Sequence, residues 1–150
     1  MIYKKAVEKN DNVVDAVNAI LRLVSRREYS KLEIRQKLSL KFTKETVEKA
    51  LAYSIEKRYQ SDDRYAEMLL KHIVFVKEGP LKFIAKAKAK GITSSIIEKY
   101  VETVDWDEVI LDLYNKKADF FNNDQNKLFS FLLRKGFYKS NISKLLLQCK

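Results

Sequence analysis

Three ten-residue segments of this chain share one helical pattern: Phe42 to Leu51 (FTKETVEKAL), Ile92 to Val101 (ITSSIIEKYV) and Phe137 to Leu146 (FYKSNISKLL). They are offset by 50 and 45 residues. Each opens on an apolar residue, carries an aliphatic five places on (Val47, Ile97, Ile142) and closes on an apolar pair preceded by a lysine (Lys49, Lys99, Lys144). A further lysine stands just upstream of each: Lys41, Lys90 and Lys135. A period of this size predicts stacked supersecondary units, each too small to bury its apolar face alone. Stacked units present a long repeated surface rather than one enclosed pocket, which favours binding over catalysis.

The units read as helical. With three Gly and one Pro in 150 residues, the chain lacks the turn residues that many hairpins need. Val13, Val17, Ile20, Leu21 and Val24 form a helical stripe after a charged lead-in expected to fray. Ser30 with Glu33 reads as a capping box, and Thr43 as the N-cap of a helix carrying Val47, Ala50, Leu51 and Ile55. The second unit starts at Ser61 or Asp62, turns at Gly79-Pro80 and again at Gly91, where a left-handed cap is expected, and continues from Thr93. The third opens at Asp105 with Glu108 completing a box, turns at Asn122, Asn123 and Asp124, and turns again at Gly136. The sequence therefore predicts an all-α chain of nine helices in three triplets, bounded at 12–60, 61–104 and 105–150, packed end to end without flexible linkers.

The formal charge is +10, which points to an acidic partner rather than to a fold. Residues 79–95 contain no acid, and neither does the stretch from Gln125 to the end. Lys82, Lys86 and Lys90 lie four apart, so they share one side of a helix, with Lys88 elsewhere. Like charges on one face repel; an anionic ligand would account for them, against the plainer reading of a solvated lysine face. Arg134, Lys135, Lys139 and Lys144 surround the Gly136 turn. A helix dipole accounts for Arg134 and Lys135 but less well for Lys139. These eight residues are the candidate partner-binding set, for acidic protein surface or for phosphate.

No catalytic constellation is legible. Asp62, Asp63 and Arg64 read as a helix start rather than an acid pair. His72, alone and beside an apolar face, reads as structural, and a single Cys149 excludes an intrachain disulfide or a multi-cysteine zinc site. Trp106, Phe120, Phe121, Phe129, Phe131 and Phe137 fall at core spacing. The three glycines are isolated and none heads a phosphate loop. No cofactor, metal or membrane span is expected, and the N-terminus does not resemble a signal peptide. A cytoplasmic, monomeric binding protein is the expectation.

The first unit carries Arg27-Glu28-Tyr29-Ser30 with Leu32, Lys37 and Leu38, and Tyr59, Asp62, Arg64, Tyr65 and Ala66 mark the junction into the second. Gly79, Lys82, Phe83, Ala87, Lys90, Gly91 and Ile92 are spaced along the second unit, and Leu128, Leu132, Arg134, Gly136, Phe137 and Ile142 along the third. Taken in order, these residues resemble the RecX family, bacterial regulators of the RecA recombinase. Arg58 stands where the family often has Gly, Ala87 replaces a usual leucine, and the first unit lacks the glycine found at Gly91 and Gly136. The resemblance implies three tandem three-helix bundles in an elongated, curved body. It implies binding along a RecA–DNA filament, with RecA's ATP hydrolysis, strand exchange and coprotease activity reduced. DNA contact, single- or double-stranded, would be non-specific. Two other readings are an acid-binding helical scaffold indifferent to DNA and a helix-turn-helix regulator. The latter would place the helix after Thr43 in the major groove, although Thr43, Lys44, Glu45 and Thr46 are poor in base-reading side chains.

Overall fold

The computed structural model describes residues 8–149. Nine helices occur among them: α1 (Val13–Val24), α2 (Lys31–Leu38), α3 (Lys44–Glu56), α4 (Asp62–Phe75), α5 (Pro80–Ala89), α6 (Ser94–Val101), α7 (Trp106–Lys117), α8 (Gln125–Arg134) and α9 (Lys139–Gln148). The chain divides into two compact units, residues 1–65 and 66–150, with the division inside α4.

In the first unit, α1 packs on α2 and α3, and α2 on α3. Ala16, Ile20, Ile34, Leu38, Phe42, Val47, Ala50 and Leu51 close its core. The caps fall where the sequence places them. Ser30 accepts from the Glu33 N–H while the Glu33 carboxylate accepts from the Ser30 N–H, satisfying two otherwise orphaned donors of α2. The same carboxylate holds both Arg27 amino groups, at 2.8 and 3.3 Å, and that hydrogen bonding raises the guanidinium pKa above its ordinary value. Thr43 caps α3 by accepting from the Thr46 N–H.

The periodicity misplaces several side chains. Leu21 and Ile55 are exposed, while Ala16 and Ser54 take the buried positions. Ala16 lies one turn before Ile20, and Ser54 completes the line from Val47 through Leu51; Leu21 and Ile55 sit about 100° further round their helices. Ser54 is fully buried, and its hydroxyl has no hydrogen-bond partner among the described residues. Nor is the lead-in frayed throughout. The Asn10 N–H donates to the Lys41 carbonyl and the Asn10 carbonyl accepts from Thr43, pinning the chain to the α2–α3 turn. Residues 1–7 of the lead-in lie outside those described.

The acidic start of α4 is structural. The Ser61 hydroxyl accepts from the Arg64 N–H, so Ser61 rather than Asp62 is the cap. Asp62 instead accepts from the Lys31 N–H at the first turn of α2 and from the Gln60 side chain, each at 2.9 Å. Arg64 reaches back to Glu28 at 2.9 Å and to the Arg58 and Tyr59 carbonyls. Arg58 itself takes φ 60°, the left-handed conformation that glycine adopts most readily.

In the second unit, α5 packs on α6, and α7 and α8 pack on α9. Phe83, Ala87, Leu128, Leu132, Phe137 and Ile142 are fully buried. Gly91 and Gly136 take φ 76° and 96°, as left-handed caps require. Asp105 caps α7 by accepting from the Glu108 N–H. Trp106 is buried and donates to the Val101 carbonyl. The aromatic set is split: Phe137 is core and Phe121, Phe129 and Phe131 are half-buried, but Phe120 is 75% exposed. Phe120 lies past the end of α7, in the turn through Asn122 and Asn123, where no helix face directs it inward. His72 is exposed rather than packed against the core. Among the described residues no His/Cys/Asp/Glu group is arranged to hold a metal, and no helix is long and apolar enough to cross a membrane.

Candidate basic interface at the glycine junction

Gly79 and Gly136 stand 57 residues apart in sequence and meet in the second unit. The Gly79 N–H donates to the Lys135 carbonyl at 2.8 Å, and the Leu81 N–H donates to the Gly136 carbonyl at 2.9 Å. Neither glycine has room for a side chain. A Cβ on Gly79 would stand 2.4 Å from the Gly136 carbonyl carbon and oxygen, and one on Gly136 would stand 2.5 Å from Lys82 Cγ. The α4–α5 turn and the α8–α9 turn are thus joined backbone to backbone, with a further ion pair from Lys77 to Asp112 at 3.5 Å.

The fusion joins the two acid-poor stretches. Lys82 lays its stem against Gly136, next to Lys135, and both are half-buried. Arg134, in the last turn of α8, is exposed one residue away. Lys88 and Tyr138 line one groove together with Ile84, Ile97, Glu98 and Glu102. Lys139 follows Tyr138 as the first residue of α9, exposed. Lys82, Lys88, Arg134, Lys135 and Lys139 make no ion pair with a described residue.

Lys86, Lys90 and Lys144 differ from this group. Lys86 lies 3.5 Å from Glu78, an acid immediately before the acid-free stretch. Lys90 is exposed at the C-cap of α5. Lys144 lies 2.9 Å from Asp107 and lines a pocket with Asp105, Asp107 and Glu108. Hydrogen bonds from Lys144 and from Asn141 hold the Asp107 carboxyl below its ordinary pKa. Lys144 therefore spends its charge tying α9 to α7, and the local surface is mixed rather than basic. No sequence signal pairs Lys144 with Asp107, 37 residues away, or Gly79 with Gly136.

On the helix-turn-helix reading, the exposed face of α3 should offer free polar groups. Instead Thr46 is buried and bonded to Thr43, Glu45 pairs with Lys49, and Glu48 pairs with Arg35.

Comparison with known proteins gives one consistent result. Residues 16–53 match the family model described as RecX, first three-helix domain. Regulatory protein RecX of Legionella pneumophila (strain Corby) is 34% identical over 142 residues, 90% of this chain and 95% of that protein. Its counterpart in Haemophilus influenzae (strain PittEE) is 32% identical, over 87% and 92%. The crystal structure of RecX from Lactobacillus salivarius superposes with TM-score 0.82 at 25% identity, covering 92% of this chain and 96% of that one. A second crystal structure, of a regulatory protein RecX, gives TM-score 0.80 at 20% identity, covering 91% and 73%. With identity above 30% sustained across nearly its whole length, the chain belongs to the RecX family.

Proposed function

We propose that this protein is a regulator that binds the RecA–DNA filament and lowers RecA's ATP hydrolysis, strand exchange and coprotease activity. It would act in the cytoplasm as a monomer and as a binding protein rather than an enzyme, built of three helical repeats at 12–60, 61–104 and 105–150. Kinship with proteins named as regulators supports the regulatory role. The observation that carries the mechanism is the glycine junction. It brings Lys82, Arg134 and Lys135 to one turn-to-turn contact, with Lys88 and Lys139 beside Tyr138. Cations held at fixed spacing meet a regular anionic partner with less ordering cost than cations on a hinged linker. Each phosphate neutralised releases counterions and steepens the salt dependence. Lys86, Lys90 and Lys144 belong to the proposed contact set, with Lys86 and Lys144 contributing less because acids already hold them.

The test is RecA on single-stranded DNA, with ATP hydrolysis followed as the protein is added. Turnover should fall with wild type. A Lys88→Glu, Arg134→Glu, Lys139→Glu variant should need at least about tenfold more protein, as expected if each charge contributes several tenths of a kcal/mol. Unchanged turnover at saturating wild-type protein would defeat the proposal. The helix-turn-helix alternative predicts a large preference for one duplex sequence in a salt titration. The occupied side chains on α3 speak against it.

A further inference from the structure

Helices α1 and α2 in the first unit flank an open cleft of about 300 Å³ that belongs neither to the glycine junction nor to the predicted contact set. Its floor is apolar: Ala19 and Leu23 from α1, Leu38 from the end of α2, and Phe42. Its rims are cationic. Arg22 and Arg26 line one side; Lys37 and Lys41 line the other. Arg22 and Arg26 come from the end of α1 and the turn after it, and Lys37 and Lys41 from the end of α2 and the turn after it, so the apolar floor lies among four cations. All four are exposed, and none makes an ion pair with a described residue. No acidic side chain lines the cleft. The helix dipole accounts for Arg22 and Lys37, which lie in the last turns of α1 and α2. Arg26 and Lys41 lie beyond those helices, where the dipole does not require them.

We propose that this cleft docks an acidic peptide segment of a partner protein, seating one bulky apolar side chain on the floor between carboxylates held by the two rims. The floor decides between a peptide and a nucleic acid. Base recognition needs an exposed ring to stack on or side-chain groups that read base edges. Phe42 is 7% exposed, and the floor offers only aliphatic surface and that buried ring. A phosphate backbone alone would have no use for it. An amphipathic acidic segment uses both parts: the apolar side chain supplies buried area, and the four cations select the sign of the flanks.

The experiment needs neither RecA nor DNA, so its outcome is independent of the filament reading. Full-length protein is titrated against an array of fluorescent 12-residue peptides varying in acid number and in the central residue, with dT12 as the nucleic-acid control. Peptides with at least three acids around a central Leu, Met or Phe should bind. Replacing the acids by amides, or the central residue by Ser, should each weaken binding about tenfold, as should Arg22→Gln/Arg26→Gln or Lys37→Gln/Lys41→Gln in the protein. Ala19→Phe, which fills the cleft from a half-buried position, should abolish binding while the helical circular dichroism stays unchanged. The proposal is overturned if no peptide binds or if binding ignores the central residue. It also fails if these variants bind as wild type does, or if they weaken dT12 as much as the peptides.

Discussion

Gly79→Ala gives the sharpest test of the glycine junction, because two physical effects predict opposite signs. Gly79 has φ −96° and ψ 178°, an ordinary extended conformation for alanine. Backbone entropy alone would then make the substitution stabilising by about 0.4–1 kcal/mol. The contacts predict the reverse. The new Cβ would stand 2.4 Å from the Gly136 carbonyl atoms and 2.6 Å from the Phe137 nitrogen, all of them backbone. Non-bonded carbons need roughly 3.5 Å, so the two segments must part by about 1 Å. That stretches the bonds from Gly79 to Lys135 and from Leu81 to Gly136, now 2.8 and 2.9 Å, beyond hydrogen-bonding distance. Two bonds at about 1 kcal/mol each, plus about 1–3 kcal/mol for overpacking, less the entropic gain, leave a net loss of about 2–4 kcal/mol. Trp106, the only tryptophan and buried in the same unit, reports unfolding by its fluorescence in urea. At a denaturant slope of about 2 kcal/mol per molar, the midpoint should fall by about 1–2 M. A variant as stable as wild type, or more stable, would refute the close approach, and with it the fixed spacing of Lys82 and Lys135. Gly136→Ala is less informative, since its φ of 96° would strain any other residue whatever the space.

Other substitutions probe the remaining devices. Arg58→Gly should stabilise the protein by about 0.5–1 kcal/mol in thermal melts, because relief of a left-handed φ of 60° outweighs glycine's entropy; a lower melting temperature would count against that account. Glu33→Ala removes one half of the capping box and the partner of Arg27, and should cost about 2–3 kcal/mol in urea titrations. A loss under about 0.5 kcal/mol would show the network to be incidental. Asp107 is held below its ordinary pKa, so its contribution to stability is full above the unfolded carboxyl's pKa and fades as pH falls through the lower folded value. Lys144→Ala should move the Asp107 titration, followed by NMR, up toward the usual carboxyl range, with a stability change below about 1 kcal/mol at pH 7 because the pair is half exposed. An unmoved titration would remove Lys144 as the cause.

What the sequence shows and what it hides divide along the range of the interactions. Caps and turns are decided within four residues, so Ser30 with Glu33, Thr43, Gly91 and Gly136 are legible in the letters. Burial is decided by a helix's rotation, and periodicity resolves that only to about one residue. Periodicity therefore puts Leu21 inside where Ala16 is buried instead, and Ile55 inside where Ser54 is. The candidate site depends on contacts that have no local signature at all. Gly79 reads as a turn glycine beside proline, yet its φ of −96° needs no glycine; the constraint comes from Gly136, the cap of a different helix. Arg58 shows the converse: there the left-handed backbone persists without its glycine, because that position meets a local demand that arginine satisfies with some strain. The charge pattern divides in the same way. Acid-free stretches are visible in sequence, but Glu78 and Asp107 neutralise two of the lysines from outside those stretches, while Lys82 and Lys135 gain each other as neighbours through the junction. A basic run is therefore evidence of a binding face only after folding has subtracted the internally paired cations and fixed the spacing of the rest.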